Sequence, residues 1–125
     1  MNIPYNEIDA LCVPLVRLFN EIGLETEFSC QGHDNNIRNQ FYIMFSQKVS
    51  NVKIEEFLKS ISDNSTHTPL VGKFVKWARK SKGELIETWV YILDYGNPEI
   101  NHKFAEEDYN AICHRLLFEK EPSDD

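Results

Sequence analysis

The sequence has no long run of apolar residues, and its amino terminus has no basic cluster followed by an apolar core. The first absence argues against a membrane-spanning helix, and the second argues against a secretory signal. Cysteine is scarce: three residues stand at the widely separated positions 12, 30 and 113. An odd number of distant cysteines is not a disulfide framework and is typical of a reducing compartment. The sequence therefore predicts a cytoplasmic protein without a membrane partner.

Basic residues are also few. The chain has 13 lysines and arginines against 20 acidic residues, and its formal net charge is −7. An acidic chain repels phosphate backbones at long range, which argues against nucleic acid as a general partner. Five basic residues nevertheless lie close together at Lys73, Lys76, Arg79, Lys80 and Lys82. Such a cluster either protects a strand edge from aggregation or binds an anionic small molecule.

What is present is the composition of one globular domain. The chain has 125 residues, of which 42% are hydrophobic and 26% are charged. A chain of this length buries roughly two thirds of the surface that its unfolded form exposes, so it folds without metals or disulfides. The expected domain covers residues 1–118. The acidic segment 119–125 is predicted to be a disordered tail.

Hydrophobic spacing predicts seven elements in the order α-β-β-α-β-β-α. They are a helix at 14–22 after a short turn, strands at 24–30 and 41–45, a helix near 54–61, strands at 70–80 and 85–95, and a helix near 109–117. Strand pairs joined by short connections favour antiparallel pairing. The predicted fold class is therefore α+β: a two-layer sandwich with an antiparallel or mixed four-stranded sheet and helices on one face.

The segment from Thr26 to His33 carries the densest group of polar side chains. Alternation along the strand predicts that Phe28 and Cys30 are buried and that Ser29 is exposed. Glycine at position 32 allows a ligand to approach the main chain closely.

Four interpretations of this segment stay open. Cys30 could be a nucleophile with His33 as its base, or the two could form half of a zinc site that has no evident second pair. The segment could instead be a ligand-binding turn, or a turn with no function. We favour the binding turn, and we assign no metal, cofactor or catalytic residue. The predicted ligand-binding residues are Thr26, Ser29, Gln31, Gly32, His33, Lys76, Trp77 and Arg79. Trp77 and Arg79 are included because an aromatic ring beside an arginine suits a base and its phosphate.

Part of this segment resembles the wybutosine-synthesis tRNA methyltransferase family. That family has Thr-x-Ser-Ser-Cys-Ser-Gly-Arg after an asparagine that ends a helix. The positions that match are Asn20, Thr26, Ser29, Cys30 and Gly32, with His33 in place of the arginine. The resemblance implies a related α+β fold and a nucleoside-type pocket.

The same segment is similar to small phage and prophage proteins. These carry Ser-Cys-x-Gly-His before a Tyr-Ile-x-Phe strand, which corresponds here to Tyr42, Ile43 and Phe45. The sequence thus predicts a phage-type protein that binds a small anionic, nucleotide-like ligand at the Ser29–His33 turn. The alternatives are an enzyme related to tRNA-modifying methyltransferases or using Cys30, and a protein-interaction module or inhibitor of a host factor.

Overall fold

A computed structural model describes the backbone of residues 8–32, 40–62 and 70–120, with side chains up to Leu116. After a 3₁₀ turn at Ala10–Cys12, the elements are α1 (Val13–Glu21), β1 (Thr26–Cys30), β2 (Phe41–Phe45), α2 (Asn51–Ile61), β3 (Lys73–Ser81), β4 (Glu84–Leu93) and α3 (Pro98–Lys120). The predicted α+β class and element order are confirmed. Residues 121–125 of the predicted tail lie outside the described residues.

The four strands form one antiparallel sheet in the order β1-β2-β4-β3. Each hairpin pairs internally, and the β2–β4 pairing, in which Ile43 lies opposite Tyr91, joins the two hairpins side by side. The sequence was compatible with either an antiparallel or a mixed sheet, and the sheet that forms is antiparallel.

One face of the sheet carries the core. Alternate residues of β2 and β4, including Ile43 and Tyr91, are fully buried there together with residues from all three helices. Phe19 of α1 lies edge-on to Phe45 and Phe57, with ring centroids 5.1 and 5.9 Å apart. We call the opposite side of the sheet the open face, because α1, α2 and α3 all contribute to the core side.

The β3–β4 connection is a two-residue turn at Lys82 and Gly83. Both residues have positive φ, at 54° and 83°. Two successive positive φ angles match the right-handed twist of a hairpin. The hairpin predicted from the glycine-containing turn is confirmed.

The last helix is longer than predicted and begins at Pro98. Asn97 caps it, since its Oδ1 accepts hydrogen bonds from the amides of Glu99 at 2.8 Å and Ile100 at 3.4 Å. Its buried positions are 101, 105, 108 and 112, which have helical spacing but are occupied by Asn, Ala, Asp and Ile. Hydrophobic spacing missed the first half of α3 because polar residues fill two of its core positions.

The predicted orientation of β1 is wrong. Phe28 is 55% exposed, and with Cys30 it pairs with the open-face residues of β2, whereas Ser29 lies opposite buried Ile43. An irregularity in register between Thr26 and Phe28 interrupts the strict alternation on which the prediction depended.

Asn20 holds the end of α1 against the start of β1. Its Nδ2 donates to the Val16 carbonyl at 2.8 Å and to Thr26 Oγ1 at 2.9 Å, and its Oδ1 accepts from the Thr26 amide at 3.0 Å. One side chain therefore supplies three hydrogen bonds that fix where β1 leaves the helix.

We expect Asn20→Ala to lower the free energy of unfolding by about 1–3 kcal/mol, because the amide of Thr26 loses its acceptor in a partly buried site. Urea denaturation measures the change. Asn20→Asp keeps the acceptor and loses the donors, so its loss should be smaller. Equal stability of Asn20→Ala and the wild type would contradict this role.

Asp108 of α3 fixes the chain just before β3. Its side chain is 1% exposed, and its carboxylate accepts hydrogen bonds from the amides of Val71 at 2.7 Å and Gly72 at 2.8 Å. The Tyr91 hydroxyl donates a third hydrogen bond at 2.6 Å. Three donors thus converge on one buried carboxylate, which joins α3, β4 and the entry to β3.

Among the described helices, none combines the length and the apolar content that a bilayer crossing requires.

Candidate ligand-binding site

The side chains of the predicted binding turn already have partners within the fold. Thr26 bonds to Asn20, and the hydroxyl of Ser29 is hydrogen-bonded to the thiol of Cys12. Gly32 is buried with φ at 91°. His33 lies outside the described residues. The turn's assignment as a ligand site stays a prediction.

Among the described residues of this turn, Gln31 makes the most hydrogen bonds. Its amide donates to Asp9 Oδ2 at 3.0 Å, and its Oε1 accepts from the amide of Leu11 at 3.1 Å. The carbonyl of Gln31 is 2.7 Å from His102 Nε2. These three contacts tie the end of β1 to the 3₁₀ turn and to α3.

The three cysteines are free thiols. Burial raises the pKa of Cys12 to about 12, so this thiol is protonated at neutral pH and is not a nucleophile. Cys30 is half-buried on the open face, opposite Tyr42 in the register. Across the described ranges, His, Cys, Asp and Glu nowhere gather in a group of three that could hold a metal.

The basic residues of β3 divide between the two sides of the sheet. Alternation along the strand places Trp77 and Arg79 on the open face, and Lys76 and Lys80 on the other. The ammonium of Lys76 is 5.3 Å from the ring centroid of Trp89. Lys76 therefore lies on the opposite side of the sheet from Trp77 and Arg79, although the sequence analysis assigned all three to one ligand site.

Trp77 meets Tyr42 across the open face, with ring centroids 5.2 Å apart. Because β4 lies between β2 and β3 in the sheet, the two rings must meet above β4. The residues of β4 on this face include Val90, which is fully buried, and Thr88, which is 1% exposed. The rings thus form an aromatic layer over the middle of the open face.

Arg79 reaches from one edge strand to the other. Pairing between β2 and β4 ends at Met44, so the outer half of the β3–β4 hairpin extends beyond β2. Arg79 Nη2 lies 2.6 Å from Glu27 Oε1, and the guanidinium carbon is 5.7 Å from the ring centroid of Phe28. The side chains of Arg79 and Glu27 are 24% and 44% exposed. We call Phe28, Tyr42, Trp77 and Arg79 the open-face cluster.

Two polar atoms of this face are buried without a hydrogen-bond partner in the described part of the chain. They are Arg79 Nε and Thr88 Oγ1. Thr88 pairs with Trp77, and Arg79 is two residues further along the same face of β3. A donor and a hydroxyl without partners in the described chain therefore lie on the same face of neighbouring strands, two positions apart in the register. Buried polar groups are rarely left unpaired, so this pair requires an explanation.

Sequence reasoning found Trp77 and Arg79 but missed Tyr42, Thr88 and Glu27. Alternation along β2 could have placed Tyr42 away from the core, since both of its neighbours are apolar. No local signal could have joined Glu27 to Arg79, because they lie 52 positions apart in the chain.

A family model described as YoqC prophage protein matches residues 1–120. The chain belongs to the YoqC prophage protein family. Its similarity to small phage and prophage proteins is therefore confirmed. No curated protein and no solved structure matches this YoqC-family chain. Its resemblance to the wybutosine-synthesis methyltransferases gains no support from these comparisons and stays a prediction.

Proposed function

We propose that this YoqC-family protein binds a small anionic ligand with a planar ring, of nucleotide type, on the open face of its sheet. The observation that carries the proposal is the pair of buried polar atoms without partners in the described part of the chain, Arg79 Nε and Thr88 Oγ1, on the face that also carries the rings of Tyr42 and Trp77. The groups of the Ser29–Gly32 turn mostly have internal partners, which favours the open face over the turn.

The chemistry of the two atoms suits an anion. Arginine presents a fixed fork of donors that matches phosphate and carboxylate oxygens, and a threonine hydroxyl adds one more donor. The adjoining rings supply the apolar part of the site, since stacking on an aromatic side chain stabilises a bound base by about 1–3 kcal/mol. A mononucleotide carries both features on one molecule.

Glu27 is an internal competitor in this proposal. Its carboxylate occupies Nη2 of Arg79. An incoming anion takes over part of the guanidinium, and Glu27, which is substantially exposed, turns toward solvent. Because Glu27 is 44% exposed and Arg79 is partly exposed, the ion pair costs little to break, on the order of 1 kcal/mol.

Trp77 gives a direct measurement of binding. In a Trp89→Phe variant it is the single tryptophan, because the chain has two. We expect adenosine monophosphate to quench its fluorescence at lower concentration than adenosine or inorganic phosphate does. Adenosine lacks the phosphate group, and inorganic phosphate lacks the planar ring. The absence of any change with millimolar adenosine monophosphate would refute the proposal.

Three substitutions test the assigned roles. Arg79→Met should weaken binding of adenosine monophosphate by about tenfold or more, because a charge-assisted hydrogen bond is lost. Glu27→Gln should strengthen it, since the competing carboxylate is removed. Lys80→Met is the matched control: it removes a neighbouring charge on the other side of the sheet and should leave affinity nearly unchanged. Weaker binding by Glu27→Gln would contradict the competition.

The sequence-based alternatives stay predictions. A methyltransferase relative should bind S-adenosylmethionine, and an enzyme that uses Cys30 should lose turnover in Cys30→Ala. An inhibitor of a host factor should bind its partner through residues that the nucleotide leaves free. The same fluorescence titration with S-adenosylmethionine separates the first alternative from the proposed ligand.

A further inference from the structure

A cavity of about 480 Å³ lies on the helical side of the protein, between the 3₁₀ turn with the start of α1 and the first half of α3. Its volume is within the range of small-molecule sites. The first wall is apolar and consists of Ala10, Leu11, Pro14 and Leu15. Leu11 is 48% exposed although it borders the cavity, so an apolar surface is accessible there.

The opposite wall comes from α3; it includes Ala105 and Tyr109 and carries the polar side chains of the cavity. His102, Glu106 and Asn110 line it at four-residue intervals, which places them on one side of the helix. The charged and polar side chains of the described cavity lining thus all come from α3, whereas the 3₁₀ turn and α1 contribute apolar residues alone.

His102 is held in one orientation. Its Nε2 must carry the proton that is donated to the Gln31 carbonyl, because a carbonyl oxygen only accepts. The ring also lies edge-on to Phe41, with centroids 6.2 Å apart. In the neutral imidazole, Nδ1 is then an acceptor. Its position is fixed by the hydrogen bond that Nε2 makes to the carbonyl of Gln31.

Acceptors predominate on the polar wall. Glu106 accepts only, His102 offers Nδ1, and Asn110 has one carbonyl oxygen beside its amino group. Among the described residues that line the cavity, Lys103 is the one permanent cation. The complementary ligand therefore carries hydrogen-bond donors or a positive charge on one side and an apolar body on the other.

We infer that this cavity is a second ligand site, distinct from the open face, for a small amine or similar cation with an apolar ring. The ring packs against Leu11, Pro14 and Leu15, and the amino group faces Glu106 and Nδ1 of His102. The two sites lie on opposite sides of the sheet and recognise opposite charges.

Three indoles of similar size test the inference: tryptamine, indole-3-propionate and neutral 3-ethylindole. Backbone amide chemical shifts measured by NMR report the location of binding. We expect tryptamine to shift the amides of residues 102–110 at lower concentration than the other two. Equal affinity for all three, or preference for the propionate, would overturn the assigned ligand class. No shift of these amides with any of them would overturn the site.

Two variants and one control complete the test. Ala10→Phe fills the cavity from an exposed position and should abolish the tryptamine shifts, whereas Ala78→Phe, an equal change at an exposed position of β3, should preserve them. Glu106→Gln should weaken tryptamine by about tenfold or more and leave 3-ethylindole unchanged. Shifts that survive Ala10→Phe would overturn the inference. Binding of adenosine monophosphate to Ala10→Phe should be unchanged, so the two sites can fail independently.

Discussion

Replacing Asp108 with alanine is expected to lower the free energy of unfolding by about 3–5 kcal/mol, because one buried donor and two partly buried donors lose a shared acceptor. The donors are the amides of Val71 and Gly72 and the hydroxyl of Tyr91. Urea denaturation followed by circular dichroism measures the loss.

Two milder variants separate the contributions of the individual hydrogen bonds to this loss of stability. Asp108→Asn keeps one acceptor oxygen and should cost less than alanine, about 1–3 kcal/mol, since one amide then faces an NH₂ group. Tyr91→Phe removes only the donor hydroxyl and should cost about 1 kcal/mol. The effects of Tyr91→Phe and Asp108→Ala should be less than additive, because both remove the same hydrogen bond. Full additivity would mean that this bond contributes nothing.

The carboxylate also gives stability a defined pH dependence. Burial raises the pKa of Asp108, and the hydrogen bonds from Tyr91, Val71 and Gly72 offset this only in part. The folded state therefore holds the proton more tightly than the unfolded state. The resulting stabilisation is fully present below the ordinary aspartate pKa, about 4, and is lost as pH rises through the raised folded-state value. This component should be missing from Asp108→Asn.

Gly72→Ala is expected to be the second severe substitution, with a loss of about 2–3 kcal/mol. A Cβ atom at this position would lie 2.3 Å from Cε1 and 2.6 Å from Cζ of Tyr91. The Tyr91 ring is fully buried, so it has little space into which it could move. Any shift would also pull its hydroxyl away from Asp108.

A matched glycine separates the clash from the conformational effect. Gly96 has φ at 77°, and a Cβ atom added to it would meet nothing within 4 Å among the described residues, so Gly96→Ala should cost only about 1 kcal/mol. In a Tyr91→Leu background, Gly72→Ala should cost less than in the wild type, because the ring atoms that it meets are gone. An equal cost in both backgrounds would show that Tyr91 is not the obstacle.

The pairing of Trp77 with Arg79 could be predicted because both lie on one face of one strand. Lys76 was grouped with them, but alternation places it on the other side of the sheet, so its part in ligand binding stays a prediction. The error in the orientation of β1 arose because one irregular residue reversed the face that Phe28 and Cys30 present. Alternation cannot show such an irregularity, because it follows from pairing with β2.

What the sequence by itself determined are the features set by neighbours along the chain: the helices near 14–22 and 54–61, the β3–β4 hairpin, the α+β class and the membership of a phage-type family. Tertiary structure decided the rest. Asp108 occupies a core position because three donors that are distant in sequence surround it. Tyr42 meets Trp77 because both rings extend over β4, which lies between their strands. The physical reason is that periodicity records which side of an element is apolar, whereas the partner of each side depends on strand order and helix packing.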